Sequence, residues 1–185
     1  MRIGLISDTH VPSMGPEPPP QVAVAFAGVD LILHAGDVYT QECITWLERI
    51  APVRAATSFF AGIAEGAPRA SVPVVVEAEG HTIGVVHKLE MVPLGDEVFP
   101  GTLAHYPTRA SIADELLDIF GRAVDIVVFG YTHEAMIETH QGVLFVNPGS
   151  PNMVKQSMRL GTVAMLELTP TGPQASIIDL TTIVA

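Results

Sequence analysis

Arg2-Ile3-Gly4-Leu5-Ile6-Ser7-Asp8-Thr9-His10 is the stretch on which the fold turns. Ile3–Ile6 has the length and composition of a buried strand, and it runs straight into a polar loop carrying an acid and an imidazole. The pattern returns twice. Leu31-Ile32-Leu33 leads into His34-Ala35-Gly36-Asp37, and Ile126–Phe129 leads into Gly130-Tyr131-Thr132-His133. Between the first two strands lie a Pro-rich segment, Pro12–Pro20, and a short helix opened by Pro20 and running through Phe26. Thr40 caps a helix through Ile50, and Val53 begins a third strand. This βαβαβ rhythm predicts an α/β fold with a mostly parallel sheet covered by helices.

The middle of the chain changes character. Val72–Glu77 and Thr82–His87 read as neighbouring strands joined at Glu79-Gly80-His81. Residues 97–110 are broken by Pro100, Gly101 and Pro107, whereas Ile112, Leu116, Leu117 and Phe120 recur at helical spacing. Ala135–Thr139 and Val143–Val146 flank a turn at Gln141-Gly142, and Thr162–Leu168 and Gln174–Leu180 follow. The C-terminal part therefore reads as a second sheet packed on the first. Neither a repeat nor a linker divides the chain, so residues 1–185 are expected to form a single domain.

Composition narrows the function classes. Apolar residues make up 48% of the 185 positions and charged residues 16%, which excludes intrinsic disorder. The formal net charge of −11 gives no field to hold a nucleic-acid backbone, so no nucleic-acid partner is expected. No apolar run reaches the length of a membrane span, and Met1 leads directly into a strand instead of a secretory leader. With Cys43 as the one cysteine, no internal disulfide can form. These features predict a cytoplasmic protein with no membrane partner. Self-association is compatible with the sequence, which does not specify it.

Open α/β sheets present ligand-binding residues at the C-terminal ends of their strands. Here three strands end in metal-competent side chains: Asp8 and His10, then Asp37, then His133. Asp8 and His10 are one residue apart, so an extended exit turns both to one side. Two carboxylates with two imidazoles suit Mn²⁺, Fe²⁺, Ni²⁺ or Zn²⁺ better than Ca²⁺ or Mg²⁺, which favour all-oxygen sites. His34 stands where it can orient Asp37 from behind.

Together, Ser7-Asp8-Thr9-His10, His34-Ala35-Gly36-Asp37, Gly130-Tyr131-Thr132-His133 and Asn147-Pro148-Gly149-Ser150 resemble the calcineurin-like metallophosphoesterases, and most of all their small bacterial and archaeal phosphodiesterase branch. The retromer scaffold subunit of the same fold is similar too. Ile83-Gly84-Val85-Val86-His87 and Val92-Pro93-Leu94-Gly95-Asp96 extend the likeness, which runs in order to about residue 168. The resemblance implies a four-layer α-β-β-α sandwich of two mixed sheets with a dinuclear metal centre between them. It assigns one metal to Asp8, His10, Asp37 and His133, with His87 and a shared Asp37 on the second. Asn147-Pro148-Gly149-Ser150 is expected to support these loops from below.

The chain departs from the pattern at the second metal. Ala56 stands for the Asn of a Gly-Asn motif, and Tyr131 stands for the first His of a Gly-His-x-His motif. Alanine has no lone pair, and a neutral phenol is a poor ligand. One metal site is therefore secure and the second is weak, with Lys88 and His105 as the residues that could compensate.

The resemblance implies a phosphoesterase, by preference a phosphodiesterase, that hydrolyses a small phosphate ester with metal-activated water. Its catalytic residues would be His10 and Asp37, and the thinned second site predicts slow or altered turnover. The alternative is a binding or scaffold protein that kept the fold. Such a protein would display an apolar patch around Phe99, Leu103 and Tyr106, whereas an enzyme needs an open approach to Asp37 and His133.

Overall fold

The computed structural model describes residues 1–56, 72–155 and 157–185, and the backbone alone of Asp96. In chain order the elements are β1 (Arg2–Ile6), α1 (Gln21–Ala25), β2 (Leu31–His34), α2 (Gln41–Glu48), β3 (Val53–Ala55), β4 (Val74–Ala78) and β5 (His81–Val85). They continue with β6 (Glu90–Met91), β7 (Asp96–Glu97), α3 (Ile112–Phe120), β8 (Ile126–Val128), β9 (Met136–His140) and β10 (Val143–Asn147). The chain closes with β11 (Met153–Val154), β12 (Ser157–Met158), β13 (Thr162–Thr169) and β14 (Gly172–Asp179).

The described residues form two five-stranded mixed sheets, ordered β14-β13-β1-β2-β3 and β4-β5-β8-β10-β9. In the first, β1, β2 and β3 are parallel, and β13 returns antiparallel to β1 with Leu5 opposite Ala164. In the second, β5, β8 and β10 are parallel and the edges β4 and β9 are antiparallel. The expectation of a separate C-terminal sheet is thus corrected. Only β9 and β10 join the second sheet, while β13 and β14 complete the first. Strand alternation explains this: β13 buries Ala164, Leu166 and Leu168 in the central core and Val163 and Met165 under the helices, a two-sided burial that an interior position requires.

Three apolar layers give the stacking. Ile3, Leu5, Leu33, Ile83, Val85, Ile126, Val128, Val146 and Leu166 meet between the sheets. Ile6, Ile32, Val163 and Met165 face outward onto Val22, Phe26, Cys43 and Leu47 of the α1–α2 side. Val127, Val143 and Phe145 face the other way, onto Ile112, Leu116 and Phe120 of α3. The order is helix, sheet, sheet, helix. Gly4 and Gly84 make matching room for aromatic rings, since a Cβ at either would press on Phe26 or Phe120 at 3.0 or 2.7 Å.

Local chemistry fixes the helix starts. Thr40 Oγ1 accepts from the Cys43 N–H at α2, and Ser111 Oγ accepts from the Asp114 N–H at α3. Gly121, at φ 71°, closes α3 in the left-handed conformation. The 97–110 stretch contains β7's end and a 3₁₀ turn over Thr102–His105, which buries Leu103. No helix among the described residues is long and apolar enough to cross a membrane.

Candidate metal centre

The polar exits of β1, β2, β5 and β8 meet at one end of the two sheets. Asp8, His10 and Asp37 come from the first sheet, His87 and His133 from the second. Backbone hydrogen bonds extend the ladders into these loops: Asp8 N–H donates to Gly36 O, His10 N–H to Asp37 O, and Gly130 N–H to His87 O. Two glycines permit the approach. A Cβ on Gly36 would fall 2.5 Å from the His87 ring, and one on Gly130 would strike Ser7 Oγ and Asp8 Oδ2.

The exits are not extended, contrary to the alternation argument for Asp8 and His10. Asp8, His10, Asp37 and His133 all have positive φ, at 54°, 50°, 52° and 57°. Each such non-glycine residue costs roughly 1 kcal/mol or more, and strain of this kind concentrates at functional sites. Tyr39 and Tyr131, at φ 66° and 71°, each centre a γ-turn, closed by Thr40 N–H to Val38 O and by Thr132 N–H to Gly130 O.

These bends bring the donors into two overlapping groups, Asp8 with His10 and His133, and Asp8 with Asp37 and His87. His10 Nε2 lies 3.1 Å from His133 Nε2, and His133 Nε2 lies 3.3 Å from Asp8 Oδ1. Donors held about 2.1 Å from a common ion are separated by about 3.0–3.4 Å, so this group fits a cation. Asp8 supplies the strongest test. Its side chain is fully buried, and Oδ1 has no hydrogen-bond partner among the described residues, an expensive arrangement that a divalent ion would resolve. In the second group His87 Nε2 stands 3.5 Å from Asp37 Oδ1 and 3.9 Å from Asp8 Oδ1, a wider spacing.

The electrostatics match a ligand set. Burial pushes the His10 pKa down, against the pull of Asp8 and Asp37. Burial works to raise Asp37, but the His87 contact, His10 and the Tyr39 hydroxyl outweigh it and hold the carboxyl below its ordinary value. Burial likewise works to lower His87, but Asp37, Asp8 and the bond from its Nδ1 to Ala35 O raise it. Fully buried His34 is driven to about 3 and is therefore neutral. Its Nδ1 accepts from Gly36 N–H, so Nε2 carries the proton and donates to Thr9 Oγ1, which in turn donates to Asp37 O. His34 thus shapes the Asp37 loop from behind.

The Asn147–Ser150 segment does support the loops. Asn147 Nδ2 donates to Gly130 O and Thr132 Oγ1, and Ser150 Oγ donates to Asp8 O. Asn152, which the sequence did not flag, donates to Thr9 O. Tyr39 was also missed: its hydroxyl lies 2.8 Å from His10 Nδ1 and donates to Asp37 Oδ2 at 3.3 Å. Its signal was only a phenol two places beyond a ligand.

The compensating residues lie elsewhere. Lys88 Nζ pairs with Glu90 at 2.6 Å and Glu97 at 2.9 Å, so its charge is already used. His105 is exposed at the end of its 3₁₀ turn and belongs to neither donor group. Tyr131 gives its backbone N–H to Asp8 Oδ2 at 3.0 Å, while its ring is 43% exposed. Ala56 follows the end of β3: its N–H donates to His34 O, and its methyl packs in the central core. Residues 57–71, which follow Ala56, lie outside the described residues.

The family model for the calcineurin-like phosphoesterase superfamily domain matches residues 1–171. A protein of Methanothermobacter thermautotrophicus named as a probable metallophosphoesterase is 33% identical over 158 residues, covering 83% of this chain and 78% of the relative. A Vps29 variant from Entamoeba histolytica superposes with a TM-score of 0.63 at 21% identity, over 97% of this chain and 99% of the other. A structure described as a novel archaeal phosphodiesterase superposes with a TM-score of 0.55 at 17% identity, over 96% of this chain and all of the other, at 100%.

Proposed function

Because this chain belongs to the calcineurin-like phosphoesterase superfamily, we propose that it is a metal-dependent phosphoesterase, by preference a phosphodiesterase, acting on a small phosphate ester. The observation that carries this reading is the buried Asp8 Oδ1, without a hydrogen-bond partner among the described residues and set with His10 and His133 at the spacing of ligands around one ion. A divalent metal bound there supplies Lewis acidity to a phosphoryl oxygen and acidifies water to make the nucleophile. His10, whose charged form burial disfavours, and His133 present ring nitrogens, and Asp8 presents a carboxylate oxygen.

Asp37 differs from the other members. Its side chain is 29% exposed, against 0% for Asp8 and 9% for both His10 and His133. It is therefore the carboxylate that an incoming ester and water meet first, and its lowered pKa keeps it ionised to orient the water. His10 serves better as a ligand than as an acid. Nε2 faces the donor cluster, Nδ1 sits on Tyr39, and burial disfavours its charged form. Lys88 is spent on Glu90 and Glu97, so the positive charge that receives phosphate comes from bound metal.

A second reading, a binding protein that kept the fold, draws on the exposed Tyr131 in place of a ligand and on the Vps29 likeness. Its expected apolar patch is not on the surface: Leu103 and Tyr106 are 1% and 4% exposed and pack under α3. The test is elemental analysis of metal per chain, run beside hydrolysis of bis-p-nitrophenyl phosphate with added Mn²⁺. The expected result is Mn²⁺-dependent turnover that falls by at least about 100-fold in Asp37→Ala. A metal-loaded chain that turns over no phosphate ester would instead favour the binding protein.

A further inference from the structure

We infer that Tyr39 is a positioning residue for the metal centre: its hydroxyl fixes the tautomer and ring plane of His10, so that Nε2 presents its lone pair to the ion. This inference rests on the metal-binding part of the reading above and not on hydrolysis.

The geometry favours one set of hydrogen-bond directions. Asp37 is ionised, and an ionised carboxylate can only accept, so the contact at 3.3 Å has the Tyr39 hydroxyl donating to Asp37 Oδ2. A phenol has one proton. At the 2.8 Å contact it must then accept, and His10 Nδ1 must donate. Asp37 Oδ2 lies 3.5 Å from the same Nδ1, which also favours a proton there. Neutral His10 carries one ring proton, so Nε2 is left bare, 3.1 Å from His133 Nε2.

The backbone supports the assignment independently. Tyr39 centres a γ-turn at φ 66°, a strained conformation for a residue with a bulky side chain. That turn separates the ligand Asp37 from Thr40, the cap of α2, and it aims the ring back at His10. The two rings meet edge to face with centroids 5.2 Å apart. The hydroxyl thereby ties a ligand of one donor group, His10, to a ligand of the other, Asp37. His87 is held by a similar device, Nδ1 to Ala35 O, whereas His133 Nδ1 is buried with no partner among the described residues. The carboxylate, phenol or carbonyl behind a metal-bound histidine typically changes metal affinity by about 10–100-fold.

The test is Tyr39→Phe, which keeps the ring and removes the hydroxyl. Zn²⁺ and Mn²⁺ affinities are measured by calorimetry, and the His10 tautomer is read from ring ¹⁵N shifts in the metal-free chain, with no substrate involved. The expected result is a His10 that loses its Nδ1–H preference and affinity about 10–100-fold weaker, with thermal stability nearly unchanged. An unchanged tautomer overturns the inference whether or not affinity falls, because Asp37 alone would then hold the proton. A changed tautomer with affinity within twofold of the parent chain also overturns it, because the orientation would not matter to the metal. A hydrolysis assay that fails in the parent chain would count against the proposed function and leave this result standing.

Discussion

The two halves of the metal centre share Asp8 and differ in almost everything else. The His10–His133 half is closed: its donor separations are 3.1 and 3.3 Å, and its side chains are at most 9% exposed. The His87–Asp37 half is open: its separations from His87 are 3.5 and 3.9 Å, and Asp37 faces solvent. The same backbone devices serve both, namely positive-φ ligands, one glycine under each loop and one tyrosine-centred γ-turn on each sheet. The backbone framework is common to both halves, which differ in donors and spacing. A tight metal belongs in the first half. The second half is the one that faces solvent, through Asp37.

Asp8→Asn is the largest way to break the contrast, since both halves use Asp8. An asparagine carbonyl oxygen can keep the Tyr131 N–H bond made by Oδ2, while its amide group offers donors to the imidazoles instead of a charge. Metal affinity should fall by more than about 100-fold in both halves. The metal-free chain should become more stable by about 1–2 kcal/mol, because a buried carboxylate oxygen without a partner among the described residues has been removed, and its Tm should rise by about 2–8 °C. Calorimetric metal titration and thermal melts with and without Zn²⁺ check this. If Asp8→Asn melts lower than the parent without metal, Asp8 Oδ1 is satisfied by something other than an ion.

The proton provides a finer cut between the halves. His87 is raised in the metal-free chain and His10 is lowered. A raised pKa means that a proton holds Nε2 to a higher pH and must leave before metal can bind. As pH falls, the second half should empty first, by about tenfold in affinity per pH unit below the raised His87 pKa, while the first half keeps its metal. Mn²⁺ titrations at several pH values between about 6 and 8 separate the two. Loss of both metals in step would mean that the halves titrate as one unit.

Much of this was legible in the chain. Short apolar runs ending in Asp8, Asp37 and His133 marked strand ends at one pole of a sheet, because burial and polarity change abruptly there. What the sequence hid depends on the third dimension. Asp8 and His10 converge through left-handed backbone and not through strand alternation, and φ has no one-letter signature at aspartate or histidine. Tyr39 and Asn152 contribute through hydrogen bonds that reach groups distant in sequence, His10 and Thr9. The placement of β13 next to β1 depends on pairing across more than 150 residues, which local pattern does not encode.

Tyr131→His sharpens the comparison most gently and most directly. The native ring stands edge-on to His87 at 5.5 Å and under Lys88 Nζ at 5.0 Å, so this position borders the open half. Histidine tolerates positive φ better than most residues, so the γ-turn and the N–H bond to Asp8 Oδ2 should survive. Losing the contact with Lys88 costs about 0.5–1 kcal/mol, a fall of about 1–4 °C in metal-free Tm. In return the second half gains an imidazole donor beside His87. If donor number limits that half, its affinity should rise several-fold, roughly tenfold at most, and metal content should move from one ion per chain toward two. If content stays at one while the chain remains folded, the limit is the wider spacing around His87 and not the missing ligand. The open half would then be a solvent-facing pocket beside a mononuclear centre.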